Sequence, residues 1–212
     1  MINGFGIILL VILVIILIVF FLSIIIIFNN FVRLKNNIDK SWANIYVLLK
    51  QRSNEIPNLV STVKGYMKHE KETLESLTKA RSFLLKADTL SQKAAADNAI
   101  TELMKTIFAI AENYPDLKAG KNFLELQKRI TGLENELADR REFYNDSVTI
   151  YNIRIQSIPD LIVARLMHLK RIDLFKATEK DKKYVNINLL KIFKKRIVSL
   201  KGSLINWVKS NK

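Results

Sequence analysis

The chain is expected to be all-α: one N-terminal transmembrane helix continuing into an antiparallel four-helix bundle, with a basic amphipathic helix at the C-terminus. Three observations predict this. Residues Ile7 to Ile27 form a run of 21 positions with no charge and one weakly polar residue, Ser23. Glycine is scarce at six and proline at three, and no stretch alternates in the β manner between turn signals. Apolar residues beyond the run recur at steps of three and four, and the roughly 180 residues there suffice for one sizeable core.

The apolar run comes first. At about 1.5 Å per residue its helix crosses the roughly 30 Å hydrocarbon core of a bilayer. A cleaved signal peptide would carry a basic n-region and a small-residue cleavage site. Met1 to Gly6 holds no Lys or Arg, and the run exits through Ile24-Ile25-Ile26-Ile27-Phe28. Arg33, Lys35 and Lys40 follow it. The positive-inside rule therefore predicts an N-terminus outside and residues 29 to 212 in the cytoplasm. The expected organisation is a short tail over 1–6, the membrane helix over 7–28, the helical bundle over 29–169, a charged linker over 170–183 and a basic amphipathic tail over 184–212.

The first bundle helix continues from the membrane. Ile38, Trp42, Ile45, Leu49, Ile56, Leu59, Val63 and Tyr66 keep one phase with a rung missing near Arg52, and the phase survives Pro57. This predicts one long helix kinked at Pro57, whose ring removes the hydrogen bond to Ser53; two helices meeting at Ile56-Pro57 is the alternative. A second helix is expected from about Glu70 to Lys86 with Leu74, Leu77, Phe83 and Leu84 inward, then a break over Ala87–Ser91. A third runs from about Ser91 to Glu112 and stops before Asn113-Tyr114-Pro115-Asp116, because the residue before proline is pushed out of helical dihedrals. The fourth extends from about Lys121 to Ser157, with Pro159 after its end.

Three stretches carry a family resemblance. Asn37-Ile38-Asp39-Lys40-Ser41-Trp42-Ala43-Asn44-Ile45 leads into Ile56-Pro57-Asn58-Leu59-Val60-Ser61-Thr62-Val63-Lys64-Gly65-Tyr66. Ala111-Glu112-Asn113-Tyr114-Pro115-Asp116-Leu117-Lys118-Ala119 precedes Asn122-Phe123-Leu124-Glu125-Leu126-Gln127. Phe143-Tyr144-Asn145-Asp146-Ser147-Val148 precedes Tyr151-Asn152. Over about residues 7 to 165 the chain resembles the LemA family of bacterial membrane proteins. The resemblance implies an N-terminal anchor, a helical bundle and no established enzymatic activity. Tyr46 stands where that family usually has an acidic residue, and residues 176 to 212 extend beyond its usual end.

No constellation for catalysis, cofactor or metal is expected. There is no cysteine, which removes disulfides, thiolate zinc sites and thiol nucleophiles. The six glycines are scattered rather than gathered in a phosphate loop, and His69 lacks the second histidine that a zinc-protease helix needs, position 73 being Thr. Tyr144-Asn145 and Tyr151-Asn152 repeat seven residues apart on one face of the fourth helix. They read either as a peptide- or ligand-binding strip or, by preference, as a bundle seam in which tyrosines pack and amides satisfy neighbouring groups. Asn58, Asn113 and Tyr114 flank prolines and are expected to bond backbone groups left unpaired there, or to build a binding surface at a bundle end.

Charge is uneven. Residues 170 to 212 hold 13 basic and 3 acidic groups, for +10 of the net +14. In the tail Lys191, Lys194, Lys195, Arg196, Lys201 and Lys209 surround a stripe ending in Trp207, a pattern suited to an anionic inner-leaflet surface. A helix partner, in this chain or another, is the next reading, and nucleic acid ranks last. The functional expectation is a membrane-anchored, non-enzymatic adaptor or scaffold that needs no cofactor and binds membrane lipids and an unidentified protein. A homo-oligomer stays open. The runner-up is a membrane or envelope remodelling factor acting on lipid.

Overall fold

The computed structural model describes residues 4–177. They are helical with no strand: α1 spans Gly4–Lys64, a 3-10 turn Lys68–Glu70, α2 Lys71–Lys86, α3 Leu90–Ala111, α4 Pro115–Lys118, α5 Lys121–Arg154 and α6 Asp160–Leu166. Residues 178–183 of the expected linker, and the tail residues Lys191, Lys194, Lys195, Arg196, Lys201 and Trp207, lie outside the described residues.

α1 is a single helix with Pro57 inside it, so the two-helix alternative does not apply. Most of its apolar run is exposed: the large side chains from Ile7 to Leu22 are 43% to 62% accessible. Length and composition make this part of α1 a candidate membrane span. Further along, Ile38, Ile45, Leu49, Ile56, Leu59 and Val63 are buried as the periodicity predicts. Tyr66 is exposed, because the helix ends at Lys64 and Met67 takes the inward place.

The described chain forms two compact units, and α1 and α5 each contribute to both. One comprises residues up to Tyr46 with Asp139–Leu174. Its core is built from Phe31, Ile38 and Ile45 of α1, Tyr144, Val148 and Tyr151 of α5, and Val163 and Ala164 of α6. The other holds Val47–Ala138 and, among the described residues, 175–177. α2 turns Leu74, Leu77, Ala80 and Leu84 inward while Phe83 is only half-buried, and α3 contributes the most apolar face, from Ala94 through Ile100, Leu103 and Ile107 to Ile110.

The helix ends have local causes. Thr89 and Gln92 form a reciprocal capping box that starts α3, so the expected break shortens to Ala87–Thr89. α3 stops before the Tyr114-Pro115 step as expected, but Pro115 then sits in the first turn of the short α4, a position where its missing N–H costs nothing. Neither α4 nor α6 is legible from periodicity, since each is too brief to show it.

Candidate functional site

The residues singled out on α5 meet a segment of their own chain. α6 ends in a Schellman arrangement: the Leu169 N–H donates to the Ala164 carbonyl at 3.0 Å and the His168 N–H to the Arg165 carbonyl at 3.1 Å. His168 adopts the left-handed conformation this cap requires, φ 51°. The cap turns the backbone out of α6 and launches residues 169–174 as a non-helical strap along α5.

Three side chains hold the strap, all by its backbone. The Tyr151 hydroxyl donates to the Lys170 carbonyl at 3.1 Å, and the Tyr144 hydroxyl to the Asp173 carbonyl at 3.1 Å. Asn152 pairs with Ile172 twice: its Nδ2 donates to the carbonyl at 2.8 Å, and its Oδ1 accepts the Ile172 N–H at 3.0 Å. Tyr144, Tyr151 and Asn152 are buried, and Asn145 is half-buried beside them. The tyrosine rings are braced from the other side by α1. Tyr151 packs edge-on against Phe31 with ring centres 6.2 Å apart, Tyr144 lies 6.2 Å from Trp42, and the Arg154 guanidinium covers Phe31 at 5.4 Å.

Burial, aided by the Asp173 and Asp39 carboxylates, pushes the Tyr144 pKa above its usual value, and burial alone does the same for Tyr151. Both hydroxyls therefore stay protonated donors throughout the physiological range. The strip binds peptide backbone, and residues 170–173, the start of the expected linker, are bonded into the fold.

The proline-flanking residues behave differently from expectation. Asn58 is exposed, and its Nδ2 donates to Glu55 Oε2 at 3.3 Å rather than to backbone. The carbonyl that Pro57 orphans, that of Ser53, instead accepts from Arg81 Nε of α2 at 2.8 Å. An arginine reaches that carbonyl from a packed neighbour, whereas Asn58 points to solvent on the outer face of α1. Asn113 is exposed, and Tyr114 precedes α4 without a side-chain cap bond. Their backbone N–H groups close the turn onto Ile110 and Ala111.

Sequence reasoning missed one charged cluster. The rung that seemed absent near Arg52 is filled by Arg52 itself, 1% exposed. Its Nη1 donates to Asp97 Oδ1 on α3 at 2.7 Å, and Nη2 lies 3.9 Å from Glu134 Oε2 on α5. Burial lowers the Arg52 pKa from its usual value, and the Glu134 charge opposes that. The available signal was positional: Arg52 falls in phase with the apolar stripe of α1, and Asp97 stands among the alanines of α3. Among the described residues, no group of three or more His, Asp or Glu side chains is placed to hold a metal ion.

Comparison with known proteins gives a consistent assignment. Residues 41–189 match the model of the LemA family. The chain is 27% identical over 164 residues to Protein LemA of Metamycoplasma hominis, covering 77% of this chain and 75% of that protein. It is 23% identical over 174 residues to Magnetosome protein MamQ of Magnetospirillum gryphiswaldense and 25% identical over the same length to Magnetosome protein MamQ 2 of Paramagnetospirillum magneticum. Each alignment covers 70% of this chain and 64% of that relative, so the chain spans under two thirds of the MamQ proteins. The family match runs past the strap to residue 189, so the family does not end before residue 176 as the sequence motifs implied. With well over half of its residues inside that match, the chain belongs to the LemA family.

Proposed function

We propose that this protein is a membrane-anchored, non-enzymatic adaptor or scaffold. In this reading α1 fixes it in a bacterial inner membrane with the N-terminus outside. The helices beyond the span pack as an antiparallel bundle that offers surfaces to cytoplasmic proteins. The observation that carries the reading is the continuity of α1. One helix from Gly4 to Lys64 bears both the exposed apolar run and the buried residues Ile45, Leu49, Ile56 and Leu59. No linker separates the candidate span from the helical core, as suits a part that presents a surface at the membrane.

A second feature favours protein binding at the end of α1 far from the span. A groove of about 510 Å³ lies there, with buried Met67 and Leu74 beside exposed Lys64, Lys71 and Lys79. Grooves of a few hundred Å³ with an apolar lining and a few polar groups are of the size that takes a side-chain cluster or small ligand.

Two experiments test the reading. The absence of cysteine lets a single cysteine at Asn3 or at Lys182 be probed with an impermeant thiol reagent on intact cells. Labelling at position 3 alone supports the proposed orientation, and labelling at 182 alone overturns it. A photo-crosslinker at Thr78, exposed on the rim of the groove, then tests the adaptor role in cells carrying the full chain or lacking residues 184–212. A defined partner captured in both supports an adaptor. Absence of any crosslink, with liposome binding that disappears on the deletion, favours instead a remodelling factor acting on lipid through anchor and tail. The concentration of +10 of the net charge in residues 170–212 is what supports that second reading.

A further inference from the structure

We propose that the corner between α5 and α6 is a second membrane contact, a wedge of Ile158, Ile162 and Leu166 that enters the headgroup boundary of the bilayer holding α1. This goes beyond the adaptor reading and requires only that α1 lie in a bilayer.

The first observation is where α5 ends. Within this unit Trp42 faces Tyr144, and Phe31 faces Tyr151 and Arg154. As α5 advances, its partners on α1 step back toward the apolar run, so the chain leaving α5 at Arg154 is heading for the span. The buried stripe of α1 continues the same way. Beyond Phe31 it includes Ile27, 8% exposed, although Ile25 and Ile26 beside it are 55% and 60% exposed. Ile27 belongs to the apolar run, so protein covers α1 where the run itself ends.

The second observation is what the corner presents. Ile158 is 82% exposed, Ile162 51% and Leu166 69%, while Val163 and Ala164 are buried against the unit. α6 thus sends its small apolar face inward and larger apolar side chains outward, the reverse of what water favours. Charge supplies the third. Arg165, Lys170 and Arg171 are exposed around the corner, as are Arg33 and Lys35 where α1 leaves the run, whereas the nearby Asp160 is bonded to Arg154. Apolar side chains beside a basic collar are the composition of a segment lying in an anionic membrane interface.

The test uses the full chain in nanodiscs of phosphatidylcholine and phosphatidylglycerol. An environment-sensitive fluorophore is attached to a single cysteine, I162C or L166C, with D88C as an aqueous reference and I16C as a reference within the span. Lipids bearing a doxyl group near the headgroup are expected to quench the two corner probes at least about threefold more strongly than the Asp88 probe. Corner probes quenched no more than the Asp88 probe overturn the wedge, whether iodide reaches them or other protein shields them. Failure of lipids bearing a doxyl group deep in the acyl chain to quench the Ile16 probe overturns the anchor and the wedge together, which separates the two causes. Using two corner positions keeps the result readable if one cysteine disturbs the packing of α6.

Discussion

Replacing Asn152 by leucine tests whether the strap is held by the α5 strip. The side chains are similar in size, so packing is largely kept, but both bonds to Ile172 disappear, the 2.8 Å donation and the 3.0 Å acceptance. A net contribution of about 1 kcal/mol per neutral hydrogen bond makes the loss about 2 kcal/mol. At about 1.4 kcal/mol per decade, the equilibrium between docked and released strap shifts about 30-fold. Tyr151→Phe removes one bond, the 3.1 Å donation to Lys170, so its expected shift is about fivefold for about 1 kcal/mol. Amide hydrogen exchange followed by mass spectrometry on the peptide covering 169–175 follows this: in Y151F the Ile172 N–H keeps its Asn152 acceptor and reports docking, whereas in N152L it loses that acceptor as well. The expected order is wild type slowest, Y151F intermediate and N152L fastest. Protection in N152L within about threefold of wild type would refute the idea that these bonds hold the strap, since such a change corresponds to well under 1 kcal/mol.

Three other outcomes are expected. Asp97→Ala should destabilise the fold by about 3 to 5 kcal/mol in chemical denaturation, because it leaves the buried Arg52 guanidinium with Glu134, at 3.9 Å, as its remaining ion pair among the described residues; Asp97→Asn, which keeps an acceptor, should cost less. Arg81→Ala should cost about 1.5 to 3 kcal/mol by leaving the buried Ser53 carbonyl without its charged donor. In a Pro57→Ala background, where the helix regains its own N–H donor, the same change should cost measurably less, and equal costs in a double-mutant cycle would count against the repair. Tyr144 and Tyr151 should give the protein an alkaline limit. Their pKa values are raised in the folded state, so the folded chain keeps protons that the unfolded chain loses above about pH 10. Stability is whole below that pH and falls as pH rises through the folded values, and Y144F should flatten the fall in melting temperature above about pH 10.

What the sequence made legible follows from what repeats in it. The long helices and most of their inward residues were readable because a buried stripe imposes a step of three or four over many turns. The strap was not, since it is held by backbone groups that every residue has; only the holders, Tyr144, Tyr151 and Asn152, leave a trace in the letters. Arg52 illustrates a different failure. A charged residue in an apolar phase looks like a gap until its partners are known, and Asp97 and Glu134 lie 45 and more positions away. The orphaned Ser53 carbonyl was derivable from Pro57 alone, but which residue would answer it depended on how α2 packs.

Because the strip grips carbonyls and one N–H, it is indifferent to most of the letters it holds. At Ile172 only proline is barred outright, for want of the N–H that Asn152 accepts. What the arrangement fixes is spacing. Lys170, Ile172 and Asp173 must arrive opposite Tyr151, Asn152 and Tyr144 in register, and losing a single residue between the α6 cap and Asp173 would bring the wrong carbonyl to one or more of the holders. Evolutionary drift in this stretch should therefore change its spelling freely and its length hardly at all.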